Sequence, residues 1–74
     1  MEEKEVISEI SKNELIVLMK KLDPQFFEAA QDSIKFVQGN SSAGTRVRKT
    51  MQSIKSLAQD IRVEVQKQKN SVAV

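Results

Sequence analysis

Seventy-four residues with no cysteine, no histidine and a net charge of +2 make at most one small domain, and a core of that size needs support from self-association when no disulfide or metal provides it. The two missing residue types exclude disulfides, the usual Cys/His zinc sites, thiol nucleophiles and the Ser-His-Asp triad. The charge is unevenly laid out, with eight acids against five lysines in residues 1–40 and seven bases against two acids in residues 41–74, an asymmetry that points the C-terminal part toward a polyanion.

The chain reads as all-α. Three phenylalanines are the only aromatics, and a polar complement of Lys, Glu, Gln and Ser favours helices over strands. The opening Met1-Glu2-Glu3 is the opposite of a basic signal-peptide start. The longest apolar run, Leu15 to Met19, is far short of the roughly 20 residues that cross a bilayer, so a cytoplasmic protein with no membrane role is expected. Residues 1–10 form an acidic, partly flexible lead-in. Ser11-Lys12-Asn13-Glu14 fits a capping box, which predicts a first helix over 11–22. Asp23-Pro24 joins an N-cap acceptor to a proline at the first helical position and predicts a second helix over 24–38. Gly39-Asn40 ends that helix, glycine being the usual left-handed residue after a helix. Ser41 or Ser42 caps a third helix over 42–69, and residues 70–74 are expected to be a disordered tail.

Apolar periodicity then sets the packing. Val47, Met51, Ile54, Ala58, Ile61 and Val65 are spaced alternately four and three apart, the seam of a coiled-coil-like helix. Phe27, Ala30, Ile34 and Val37 repeat the pattern in the second helix. Matched seams joined by a short turn predict an antiparallel helical hairpin. At 1.5 Å per residue the third helix would be about 40 Å long and the second about 22 Å. The far half of the long helix therefore needs cover, either from the short N-terminal helix, through Leu15, Leu18, Met19 and Leu22, or from a second copy. The expected state is a homodimer or higher oligomer, with the N-terminal helix as a possible docking point for a protein partner.

The residues with functional content lie in the third helix. Arg48, Lys55, Arg62 and Lys69 recur every seven positions and so stack along one edge, with Thr45, Gln52, Gln59 and Gln66 interleaved on the outer side. Cations replace the counterions of a nucleic-acid backbone while amides and hydroxyls donate to phosphate oxygens. The same cations would also suit the flanks of a coiled coil, laying their stems over the seam and pairing with glutamates. Ser42, Thr45, Arg46, Arg48 and Lys49 gather at the start of the helix. Free N–H groups and the positive end of the helix dipole attract an anion there, while like-signed side chains disfavour the helix itself. The GxxxxGK[ST] spacing of a phosphate loop is absent.

The run Gly39-Asn40-Ser41-Ser42-Ala43-Gly44-Thr45-Arg46-Val47-Arg48-Lys49 resembles the G-N-x-x-A-x-x-R-x-R segment of bacterial linker-histone-like proteins of the chlamydial type, and Ile54-Lys55-Ser56-Leu57-Ala58-Gln59-Asp60-Ile61-Arg62 continues the likeness. It covers roughly residues 26–65. The resemblance implies a helical module that accompanies DNA binding and nucleoid compaction, and it assigns Arg46, Arg48, Lys49, Lys55 and Arg62 to the nucleic-acid face; double-stranded DNA is the expected partner. Ser41 stands where the pattern commonly has lysine, and no long Lys/Ala-rich tail follows, so weak or cooperative binding is expected rather than strong compaction.

Two other readings compete with this one. A structural or adaptor module would use the helices to bind a protein and leave the cations as solvated flanks. An enzyme would have to use carboxylate pairs one turn apart, Glu28 with Asp32 or Asp60 with Glu64, with no histidine beside either pair. Exposed helix-face acids explain those pairs, and no cofactor or metal is expected.

Overall fold

The computed structural model describes residues 9–72, and everything regular in it is helical: α1 at residues 9–12, α2 at Glu14–Val37 and α3 at Ser41–Val72. Most of the acidic lead-in, together with Ala73 and Val74, lies outside the described residues. Residues 70–72, expected in a disordered tail, belong to α3. No proline or glycine interrupts that end, and Gln66 donates to the Asn70 side chain at 3.1 Å.

The break before α2 falls two residues later than the capping box predicts. Asn13 is extended (φ −63°, ψ 132°), and its side-chain oxygen accepts from the Leu15 N–H at 2.9 Å. It thereby satisfies one of the donors a helix start leaves unpaired. Its own N–H closes α1 on the Ile10 carbonyl at 3.1 Å.

The predicted boundary at Asp23-Pro24 does not exist, because α2 runs straight through Pro24 for 24 residues. Proline here removes the bond to the Lys20 carbonyl and crowds that turn. Pro24 and Lys20 are both exposed, so the loss falls on the water side. The opposing force is burial: Leu15, Leu18, Leu22, Gln25, Ala29 and Asp32 keep an alternating three-and-four spacing across the proline and are all buried or half-buried. A break at residue 23 would throw the two halves of this row out of phase.

At the far end the Asn40 N–H reaches the Lys35 carbonyl and the Gly39 N–H that of Phe36, each at 3.0 Å, with Gly39 at φ 109°. This pair of bonds satisfies the last carbonyls and needs the left-handed conformation that glycine adopts without strain. Asn40, rather than Ser41 or Ser42, caps α3: its side-chain oxygen accepts from the Ala43 N–H at 3.1 Å.

The chain reverses at this turn, and residues equidistant from it meet. Asp32 pairs with Arg46, Leu18 packs with Leu57 and Ile61, and Asn13 exchanges amide hydrogen bonds with Gln68 at 2.9 and 3.2 Å. The core is small: Leu18, Leu57 and Ile61 are buried, with Leu15 and Leu22 packed against them, and Ala29 and Ala43 are buried nearer the turn. The first predicted helix is thus the front half of α2. It covers the far half of α3, which leaves Leu15, Leu18 and Leu22 facing inward rather than toward a protein partner.

The predicted seam of the second helix is misplaced. Phe27, Ile34 and Val37 are 66%, 54% and 84% exposed, and Ala30 is exposed as well. With no break at Pro24, the phase set by Leu15, Leu18 and Leu22 carries through to Ala29 and Asp32 and turns the other row outward. On α3 the predicted seam divides. Val47, Ile54 and Ile61 face α2, joined by Ala43, Thr50 and Leu57, whereas Met51, Ala58 and Val65 are exposed.

Candidate nucleic-acid interface

All nine residues expected at the interface, Ser42, Thr45, Arg46, Arg48, Lys49, Gln52, Lys55, Arg62 and Lys69, are exposed on α3. The helix positions them because α2 holds its other side through Ala43, Val47, Thr50, Ile54, Leu57 and Ile61, which fixes its rotation. Arg48, Lys55, Arg62 and Lys69 stand seven residues apart, two helical turns, and extend over about 32 Å. That length is close to one turn of a B-form duplex. Gln52, Lys55, Gln59 and Arg62 line one shallow groove on the outer surface, together with Ser56, Ala58 and Asp60. Among the described residues no carboxylate is paired with Arg48, Lys49, Lys55, Arg62 or Lys69.

The cluster at the start of α3 does not stay together. Arg46 turns toward α2, where its Nε donates to the Asp32 carboxylate at 3.1 Å. Arg48 lies on the opposite flank, beside a groove formed with Ser33, Phe36, Val37 and Gly44. Lys49 follows about 100° further round the helix. Three cations close in sequence are therefore spread around the circumference rather than converging on one anion. Sequence reasoning missed Asp32 as the partner of Arg46. Its only signal was symmetry, since both lie seven residues from Gly39.

One member of each carboxylate pair is engaged elsewhere. Asp32 is taken by Arg46, and Glu64 accepts from the Gln68 side chain at 3.1 Å. Among the described residues no group of three or more Asp, Glu, His or Cys side chains is placed to hold a metal ion, and no helix is long and apolar enough to cross a membrane.

Comparison with protein-family models matches residues 17–71 to the family described as Histone H1-like protein Hc1. The chain belongs to the Hc1 histone H1-like family. The match runs from within the front half of α2 to the last turn of α3, so it takes in all but the ends of the helix pair, and the whole cation row. The Hc1 family is one of histone-like DNA-binding proteins, not of enzymes. Neither curated proteins nor solved structures gave a match.

Proposed function

We propose that this Hc1-family chain is a nucleoid-associated protein that binds double-stranded DNA through phosphate contacts, with little regard to sequence. The observation that carries this reading is the row Arg48, Lys55, Arg62 and Lys69: exposed, unpaired among the described residues, and spaced to follow a backbone over about one duplex turn. Gln52 and Gln59 beside it can donate to phosphate oxygens. No aromatic side chain lies on the outer surface of α3, so stacking on unpaired bases contributes nothing and the duplex backbone is the natural ligand. Self-association multiplies such rows, and with about six phosphates neutralised the logarithm of the binding constant should fall against log salt with a slope near −5. The activity belongs in the cytoplasm, on the nucleoid.

The exposed apolar residues of α2, Phe26, Phe27, Ile34 and Val37, favour a second reading, a helical adaptor that binds a protein partner and has no nucleic-acid role. Lys55→Glu combined with Arg62→Glu separates the two. The DNA reading expects a folded protein that no longer binds duplex at any salt concentration where the parent does. Duplex binding that survives the double charge reversal sinks it.

A further inference from the structure

The Lys69 end of the α3 cation row lies beside the place where the acidic lead-in enters the helix pair. Glu9 and Ile10 line a groove with Gln68, the residue before Lys69, and Asn13 is tied to Gln68 by two hydrogen bonds. The eight residues that precede Glu9 carry Glu2, Glu3 and Glu5 against the single base Lys4. Among the described residues no carboxylate is paired with Lys55, Arg62 or Lys69. Four acids and an open row of cations thus start from the same corner of the molecule.

We propose that residues 1–8 lie along the α3 cation row from its Lys69 end, with Glu5 on Arg62 and Glu2 or Glu3 on Lys55, and so compete with DNA phosphates for the same cations. The competition rests on the phosphate reading above; the contact within the chain does not. Reach fits. An extended chain spans at most about 3.3–3.6 Å per residue, so Glu5 can stand about 14 Å from Glu9 and Glu2 about 25 Å. Arg62 and Lys55 stand about 10 and 21 Å along α3 from Lys69, while Arg48, about 32 Å away, is out of range and stays open to a duplex. Register fits as well. Side chains alternate along an extended chain, so Glu3 and Glu5 would face the helix together with Lys4 turned to water.

Charge selects α3 over α2 as the surface. α3 has seven bases and two acids, and one of those acids, Glu64, accepts from Gln68. α2 has three lysines and four acids, and the two lysines near the lead-in, Lys20 and Lys21, have Asp23 within a turn. Because the acids are joined to the surface they meet, they act at an effective concentration of millimolar order. Three exposed pairs are weak enough, at about 0–1 kcal/mol each, for a duplex that engages the whole row to displace them.

A nitroxide on Val6→Cys, the sole thiol in a chain with no cysteine, tests the contact without DNA through broadening of amide signals in NMR spectra of the full chain. Arg62 and Lys20 stand about equally far, some 10 Å, from the Asn13–Gln68 end on α3 and α2. At about 0.01 M salt, where the Debye length is about 30 Å, Arg62 should broaden strongly and Lys20 weakly. That preference should vanish at about 1 M salt, where the Debye length is about 3 Å, and in the labelled chain that also carries Glu2→Gln, Glu3→Gln and Glu5→Gln. In duplex titrations at low salt the unlabelled triple variant should bind about threefold or more tightly than the parent, with the gap closing as salt rises. Equal broadening of Arg62 and Lys20 overturns the proposal, as does broadening of Arg62 that survives high salt or the three substitutions. Equal duplex affinity of parent and triple variant at low salt overturns it too. If neither chain binds duplex while the salt-sensitive contact is present, the phosphate reading falls and the contact stands.

Discussion

Gly44 sits where a Cβ atom would come within 2.6 Å of the Phe36 ring. The first turn of α3 thus accepts glycine, a poor helix former, so that the last ring of α2 can pack close against it. Gly44→Ala should destabilise the parent, while in a Phe36→Ala background the same change should stabilise by about 0.8–1 kcal/mol, the ordinary helix-propensity gain. Denaturant melts of the four chains measure this coupling, and equal effects in both backgrounds would deny the contact. Arg46 presents a second residue-scale case. Its pair with Asp32 leaves the arginine side chain 48% exposed, and exposed pairs contribute only about 0–1 kcal/mol, so position more than pairing strength sets it apart from the Arg48 row. Arg46→Gln should leave the salt slope of duplex binding unchanged, whereas Arg62→Gln should reduce its magnitude by about 0.9 for the lost phosphate contact. The Arg48 row was legible from spacing alone, since seven-residue intervals mean one face in any long helix. The Arg46–Asp32 pair was not, because it depends on how two helices approach.

At the scale of elements, the instructive failure is Asp23-Pro24. Local chemistry at that dipeptide is a good helix start, and it was outweighed by a row of inward residues that continues from Leu22 to Gln25 and Ala29 without a change of phase. With a break at 23 the phase of the following segment is free, and the more strongly apolar row Phe27, Ile34 and Val37 reads as the seam. The row that does face α3 contains Gln25 and Asp32 and so looked polar. Gln25 spans the contact imperfectly: its Nε2 donates to the Lys21 carbonyl at 3.3 Å while its Oε1 is buried with no partner. A proline in a helix interior costs about 3 kcal/mol relative to alanine, so Pro24→Ala should raise stability by roughly 2–3 kcal/mol without changing the sedimenting mass. A large loss of stability would mean that the proline marks a real boundary. The Gly39 turn was readable, because its left-handed glycine and following asparagine act through bonds within six residues.

The whole molecule divides its labour by surface. Among the described residues, α2 supplies four of the seven acids and the cover for α3, and the outer edge of α3 holds cations that no carboxylate pairs. That division explains why net charge alone says little: +2 for the chain hides a row of four cations on one helix edge. The measurement that bears most directly on the central claim is binding of the purified protein to a random-sequence DNA duplex across a salt series, repeated with an unrelated duplex. The account predicts a slope near −5, the same for both sequences. A slope near zero at measurable affinity, or binding to one duplex alone, would contradict it.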